Sequence, residues 1–335
     1  MLNKNLGRSF LTSMFQSMSP SMRCLHMLTA LFLPLCFQVA WSQAAPPFTI
    51  SGSIEYSSVI NGNTGPGVTE FNGQILTAWC DNSTGHLYSS LQSSPTATPT
   101  VYQSSIVCPY AQTGISLAVY NSQVYAASQF LPGKLAISSD GMNWTGYNLN
   151  VTNDTVFSWG LGIYAFDGQL YLAYDGQQGV SVASSSDGIN YSFVASVSSY
   201  PLNADPSGWL QSPALFQWNG VLYVGYLTTG GVVVVGHSTN QNASAWSTQE
   251  YTTTILKRDL VLVPHDNALY FAGQSYYSEN NLWMAGAYDG VSFPAATNYG
   301  GAMSTSPSAV DFNGTFYMVI RSGYGANMWN FYAND

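Results

Sequence analysis

Charged side chains are scarce in this sequence, and positive charge is the scarcest. Only 7% of the 335 residues are charged, and 7 basic residues stand against 16 acidic ones. Three of the basic residues and none of the acidic ones precede residue 45, so residues 45–335 carry a formal charge of 4 − 16 = −12. Because such a surface repels nucleic acid and anionic membranes, we expect neither as a partner.

A long apolar run occurs near the N-terminus. Lys4, Arg8 and Arg23 precede the apolar residues 24–40, and the small-residue sequence WSQA follows at 41–44. This order predicts a secretory signal peptide over residues 1–44, so that residues 45–335 are secreted, either outside the cell or into a periplasm. The alternative is a membrane anchor, because a run of this length is borderline for a span. No later segment is a candidate span.

Cysteine and histidine are also rare, with four of each. Cys24 and Cys36 fall in the predicted signal peptide, which leaves Cys80 and Cys108 in the exported chain. Two cysteines in an exported protein predict one disulfide, with a pair of buried free thiols as the alternative. The histidines lack metal-ligand spacing and the glycines form no phosphate-binding loop, so we expect no metal ion and no cofactor.

The sequence does contain a repeat built on short turns. Six dipeptides of turn character follow one another at intervals of 49, 46, 52, 47 and 47 residues. They are Asn72-Gly73, Asn121-Ser122, Asp167-Gly168, Asn219-Gly220, Asp266-Asn267 and Asn313-Gly314. Each lies between two apolar segments, which predicts a β-hairpin, and a hairpin period of about 48 residues is typical of propeller blades.

Each repeat continues with a third strand, and the first five add a fourth. The sixth ends at Asp335 without a fourth strand, whereas residues 48–54 form a strand pattern outside the repeats. Pairing this N-terminal strand with the last blade would close the ring and leave no free edge. We therefore predict an all-β fold, a six-bladed β-propeller of four-stranded blades closed by the N-terminal strand. Residues 45–335 would form this single domain, as a monomer.

The turns between third and fourth strands carry a second pattern. SSDGMNW at 138–144 and SSDGINY at 185–191 are near copies. In such a segment the aspartate can accept hydrogen bonds from its own turn while the aromatic residue packs between sheets. The segments resemble the Asp-box, or bacterial neuraminidase repeat, of sialidase-like propellers, many of which are secreted proteins that bind or act on sugars.

This resemblance implies the fold strongly and the function weakly, because in those families the motif lies on the face opposite the active site. Sialidases of this pattern hold a substrate carboxylate with three arginines. Residues 45–335 contain two, Arg258 and Arg321, so the arginine triad is absent and we do not expect sialidase activity.

The face of the propeller around its channel is the predicted binding surface. There, exposed aromatic rings beside polar side chains would suit a sugar, which stacks its C–H face on a ring and hydrogen-bonds through its hydroxyls. Packing between blades is the alternative for each aromatic residue. Cys80 and Cys108 end parallel strands two and four of the first blade on this face, where a disulfide is geometrically reasonable. The predicted ligand-binding residues are Trp79, Trp159, Trp209, Tyr226, Arg258, Asp259, Arg321 and Tyr324.

An acid pair on the same face would instead favour a glycoside hydrolase or lyase. The candidate catalytic carboxylates are Asp259, Asp175 and Asp81, with turn caps and solvated loop acids as the alternative. Because the six predicted loops differ from one another, we expect one asymmetric central site. We predict a secreted propeller that binds carbohydrate or glycan-bearing partners. The hydrolase or lyase is the first alternative, and a protein-interaction scaffold is the second.

Overall fold

The computed structural model describes residues 44–45, 52–56, 65–81, 84–108, 114–129, 131–156, 160–199, 202, 211–228, 230–275, 280–300, 303–321 and 328–333. Side chains are not described for residues 44–45, 52–56, 259 and 328–332. Over the described residues the secondary structure consists of β-strands and turns, without a helix. Residues 44–335 form one compact unit, and the predicted signal peptide lies outside the described residues except for Ala44.

The first part of this unit holds two short strands and two four-stranded antiparallel sheets. The short strands are β1 (Ala44–Ala45) and β2 (Gly52–Tyr56). The first sheet contains β3 (Gly67–Phe71), β4 (Gln74–Asp81), β5 (His86–Gln92) and β6 (Thr100–Val107), in that spatial order. The second contains β7 (Ser116–Tyr120), β8 (Gln123–Ala127), β9 (Lys134–Ser138) and β10 (Thr145–Asn148), again in order.

The third sheet has a fifth strand that the sequence pattern does not predict. Its strands are β11 (Asn150–Thr152), β12 (Gly162–Phe166), β13 (Gln169–Gly176), β14 (Gly179–Ser185) and β15 (Asn190–Ser196). β12 to β15 form an antiparallel meander, and β11 adds to its outer edge in parallel with β15. The segment after β10 therefore bridges the second and third sheets at their outer edges.

The next two sheets share one long strand. The strands are β16 (Ala214–Trp218), β17 (Val221–Leu227), β18 (Val232–Ser238), β19 (Trp246–His265), β20 (Ala268–Ser275), β21 (Leu282–Ala287) and β22 (Thr297–Gly300). The first half of β19 pairs with β18 and the second half with β20. Residues 257–259 lie within β19 and not in a loop between two sheets, because the backbone pairs Ile255 with Val232 and then Leu256 with Ser275.

The last sheet joins the two ends of the unit. Its strands from the C-terminal part are β23 (Ser308–Phe312), β24 (Thr315–Arg321) and β25 (Met328–Ala333). β2 pairs antiparallel with β25, from Gly52 opposite Tyr332 to Tyr56 opposite Met328. The sheet order is β2-β25-β24-β23, so β2 occupies the outer position expected for the N-terminal strand. β1 pairs separately with β21, with Ala44 opposite Ala287.

The six turn dipeptides all form tight hairpins. Both residues of every dipeptide have positive φ angles, between 45° and 80°. This backbone matches the right-handed twist of the paired strands, and Asn, Asp and Gly adopt it at little cost. We call the end of the sheets that carries these hairpins the lower end and the opposite one the upper end.

The strands that precede the hairpins contact one another in chain order. These inner strands are β3, β7, β12, β16, the second half of β19 and β23, and β23 also contacts β3. Some of these contacts are so close that only glycine fits. A Cβ atom at Gly160 would overlap Ser212, and one at Gly162 would overlap the carbonyl oxygen of Pro213. The close approach brings the upper ends of β12 and β16 together.

Candidate functional site

The predicted disulfide is confirmed. Cys80 near the end of β4 and Cys108 just after β6 are joined, with their Cα atoms 5.9 Å apart. Both residues are fully buried, and the backbone N–H of Cys108 donates to the carbonyl of Gly85 at 2.8 Å. The bond therefore ties the upper ends of the second and fourth strands of the first sheet together.

Two of the predicted ligand-stacking residues lie in the interior. Trp79 is 2% exposed and stacks on Tyr88, with ring centroids 5.9 Å apart. Tyr226 is 1% exposed and packs in a cluster with Val180 and Leu202. The second strands β4 and β17 are buried along nearly their whole length, so an aromatic residue on either face is covered by a neighbouring sheet. Neither ring offers a face to solvent.

Two of the candidate carboxylates fasten loops. Asp81 is buried, and its Oδ1 atom accepts a hydrogen bond from the backbone N–H of Thr84 at 3.0 Å. Asp175 is also buried, and its Oδ1 atom accepts from the N–H of Leu202 at 3.1 Å. Burial raises the pKa of Asp175. Asp81 and Asp175 therefore anchor loops at the upper end.

The other predicted site residues, apart from the two arginines, lie partly or wholly outside the described residues. Asp259 has its backbone in β19, but its side chain is not described. Trp159, Trp209 and Tyr324 lie outside the described residues. Within the described part of the chain, no group of three His, Cys, Asp or Glu side chains could hold a metal ion.

Arg258 and Arg321 come together at the upper end, around the segment that leads into β23. The Arg258 guanidinium donates through Nη1 to the carbonyl oxygen of Ser304. The backbone N–H of the same Ser304 donates to the carbonyl of Arg321 at 2.9 Å. Both arginines are half-buried, and burial lowers the pKa of Arg321. The two arginine residues named from the sequence thus meet one residue, Ser304.

Two polar side chains beside these arginines have atoms without a partner. Gln274 is 1% exposed; its Nε2 donates to the carbonyl of Met303, whereas its Oε1 has no hydrogen-bond partner among the described residues. Thr305 is 1% exposed, and its Oγ1 is likewise unpaired among them. We call Arg258, Gln274, Ser304, Thr305 and Arg321 the upper cluster. Sequence reasoning missed Gln274 and Thr305, although a glutamine that ends the apolar run ALYFAG is a visible signal.

The upper end also gathers the scarce positive charge. Lys134 begins β9, Lys257 and Arg258 lie where β19 passes between two sheets, and Arg321 ends β24. These are the four basic residues that follow residue 44. Each stands at or near the upper end of a sheet, where its positive charge attracts polar and anionic groups.

A central cavity connects the two ends. It has a volume of about 300 Å³ and is lined by all six inner strands and the residues that lead into them. Its walls are mainly aliphatic, and small residues at its upper end include Gly114, Ser212 and Ser306. The upper cluster lies beside this mouth, since Thr305 directly precedes Ser306.

Sequence comparison gives no match: no protein-family model and no curated protein matches the chain. Solved structures do share its fold. A point mutant of the Aleuria aurantia lectin AAL, in complex with Fucα1-6GlcNAc, aligns with a TM-score of 0.54 and 12% identity, over 79% of this chain and 91% of the lectin. Trypanosoma rangeli sialidase in complex with the inhibitor DANA aligns with a TM-score of 0.50 and 12% identity, over 85% of this chain.

The alignment with the sialidase covers 60% of that protein, so this chain spans about three fifths of its length. At such low identity the likeness concerns the fold alone. No helix in the described residues is long and apolar enough to cross a membrane. The chain is thus similar in fold to sialidase-like β-propellers, with an all-β architecture of twisted sheets.

Proposed function

We propose that this protein is a secreted, closed six-bladed β-propeller that binds carbohydrate, or glycan-bearing partners, at the upper mouth of its central cavity. Three observations support the closed ring: six hairpins at nearly regular intervals, contacts that run from each inner strand to the next, and the pairing of β2 with β25. Hydrogen bonds within the turns at Asp140 and Asp187 support their assignment as Asp-boxes.

The upper cluster is the observation that carries the functional proposal. Gln274 Oε1 and Thr305 Oγ1 are buried, so a sugar hydroxyl, which donates one hydrogen bond and accepts others, can satisfy them only if the segment that leads into β23 moves aside on binding. A buried polar atom without a partner costs free energy, which a ligand or an ordered water at that position would recover. The guanidinium groups of Arg258 and Arg321 add planar donors beside them.

Two further considerations favour carbohydrate over other polar ligands. Two of the solved structures with a similar fold are a lectin bound to Fucα1-6GlcNAc and a sialidase bound to an inhibitor. The formal charge of −12 over residues 45–335 also disfavours nucleic acid. Since Trp79 and Tyr226 are buried, we assign any stacking on the sugar to Trp159, Trp209 and Tyr324.

A glycan array with the purified protein tests the proposal, with two matched variants. Thr305→Val removes the unpaired hydroxyl of the upper cluster and keeps the shape of the side chain. Tyr191→Phe removes another buried hydroxyl without a partner, in the packing between the second and third sheets. Neither change breaks a described hydrogen bond, so both variants should unfold at or above the wild-type temperature.

We expect the wild type to retain a restricted set of glycans and Thr305→Val to bind them about three- to tenfold more weakly, as loss of one hydrogen bond predicts. Tyr191→Phe should bind as the wild type does. Equal binding by both variants would move the site away from the upper cluster, and no glycan binding at all would favour a protein-interaction scaffold. Cleavage of a retained glycan would favour the hydrolase.

A further inference from the structure

The lower end of the central cavity is lined by acidic and aromatic residues that are not part of the upper cluster. Four side chains from four different inner strands line it there: Glu70, Tyr164, Phe216 and Asp311. Glu70 and Asp311 each stand two residues before a hairpin dipeptide, and Tyr164 and Phe216 each stand three residues before one. Because the hairpins mark the lower end, these four residues lie at the mouth opposite to Arg258.

Glu70 has no basic counter-charge among the described residues, whereas Asp311 forms an ion pair with His265 when that imidazole is protonated. The residues that line the cavity include no lysine and no arginine. Glu70 is exposed, and its carboxylate has no hydrogen bond or ion pair among the described residues. Asp311 is held in place by two contacts, with His265 Nδ1 2.9 Å from Oδ2 and the N–H of Gly314 2.9 Å from Oδ1. Negative charge concentrated in a recess with aliphatic walls attracts a cation.

An aromatic pair stands in the same cavity. The rings of Tyr164 and Phe216 lie 4.6 Å apart between centroids, tilted at 45°. Burial raises the pKa of Tyr164 to about 12, and the phenol is neutral at physiological pH, as an ordinary tyrosine also is. The face of a neutral aromatic ring attracts cations, and quaternary ammonium groups are bound in this way between aromatic rings and acidic groups.

The size of the cavity limits the ligand. A volume of about 300 Å³ lies at the lower end of the range for small-molecule pockets, so the ligand is a small molecule and not a polymer. Above the four residues the walls include Val68, Ile163 and Leu215, which suit an alkyl group. A compact cation with an apolar portion matches both parts of the lining.

We propose that the lower end of the central cavity binds a small organic cation of the alkylammonium or quaternary ammonium class. The cationic head would lie near the carboxylates of Glu70 and Asp311 and the aromatic pair, and the alkyl portion would enter the apolar part of the channel. This site lies opposite the proposed carbohydrate site and does not depend on it.

Choline serves as the probe, and 3,3-dimethylbutan-1-ol, which has the same shape without the charge, as its neutral control. Both are titrated into the purified protein by calorimetry, up to a concentration on the order of 50 mM, which reaches the millimolar affinities expected of so small a ligand. The variants are Glu70→Gln and Phe216→Leu. Asp167→Asn is the matched control, because it removes one negative charge at the lower end outside the cavity and asparagine tolerates the positive φ of 47° there.

We expect choline to bind and the neutral alcohol to bind at least about fivefold more weakly, as the loss of the cation–π and charge contacts predicts. Glu70→Gln and Phe216→Leu should each weaken choline binding by about two- to fivefold, the range for one exposed charge pair or one cation–π contact. Asp167→Asn should leave it unchanged. The proposal is overturned if choline does not bind, if both probes bind equally, or if Asp167→Asn weakens binding as much as Glu70→Gln does.

Discussion

At the residue scale, single carboxylates organise the lower turns of this protein. Asp140 Oδ1 accepts the backbone N–H groups of Met142 and Asn143 at 2.8 and 2.7 Å, and Oδ2 accepts the Asn143 side-chain amide at 2.7 Å. Ser138 Oγ donates to Oδ1 at 2.9 Å. Partial burial acts to raise the pKa of Asp140, but these hydrogen bonds outweigh it and lower the pKa to about 2.

Asp140→Ala should therefore destabilise the protein by about 1–3 kcal/mol at pH 7, since it leaves several donors without their acceptor. The folded pKa is lower than the unfolded value of about 3.9, so the stabilisation is complete above that value and is lost as the pH falls towards 2. Urea unfolding at pH 7 and near pH 2 measures both effects. Glu250→Gln, at an exposed site on β19, is the control and should change little. Equal loss for Asp140→Ala at both pH values would contradict this account.

The sequence alone does not show which of these side chains are buried. The pattern predicts that Trp79 and Tyr226 lie in loops at the upper end, whereas the structure has them inside the second strands β4 and β17. The pattern cannot show whether a neighbouring sheet covers them, because burial is decided by residues far away in sequence. Likewise, no local pattern shows that Thr305 and Gln274 lie near Ser304, because those contacts join residues from different parts of the chain.

At the element scale, the hairpins are the part that local chemistry determines. Asn-Gly, Asp-Gly and their relatives adopt positive φ in all six turns, and the strands on either side follow from the alternation of apolar residues. Two elements, β11 and the long strand β19, are not predictable from local sequence. β11 pairs in parallel with a strand that lies far along the chain, with Asn150 opposite Asn190, and β19 continues through the charged sequence Lys257-Arg258-Asp259 because its backbone finds partners on both sides.

The close approach of inner strands gives a prediction at this scale. Gly160→Ala should destabilise the protein by about 1–3 kcal/mol, because its Cβ atom would overlap Ser212 in the backbone segment that precedes β16. Gly146→Ala is the matched control, because its Cβ atom would meet only ordinary contacts, the nearest at 3.5 Å. Thermal unfolding distinguishes the two. If both variants unfold at the same temperature, the inner strands are not packed as closely as described.

At the scale of the whole molecule, the proposed closed ring rests on a strand from the beginning of the chain. β2 occupies the edge of the last sheet and pairs only with β25 within the described residues. The sequence predicts this pairing from the strand pattern at residues 48–54, which belongs to none of the six repeats, although no local signal identifies its partner strand.

Proline substitutions at neighbouring positions of β2 test the pairing with an internal control. In an edge strand, alternate residues direct their N–H towards the partner and away from it, so Ser53 and Ile54 differ in this respect. A proline that removes a ladder hydrogen bond should cost about 1–3 kcal/mol, and the other should cost much less. Differential scanning calorimetry of Ser53→Pro and Ile54→Pro compares them. Two variants as stable as the wild type would show that β2 contributes nothing to the closure.

The most direct test of the proposed function is a crystal structure of the protein with the glycan that the array ranks highest. We expect one sugar per chain at the upper mouth of the cavity, with a hydroxyl within hydrogen-bond distance of Thr305 Oγ1 or Gln274 Oε1 and an arginine beside it. A sugar bound at the lower end, or repeated between several pairs of sheets with the upper cluster empty, would contradict the proposed function.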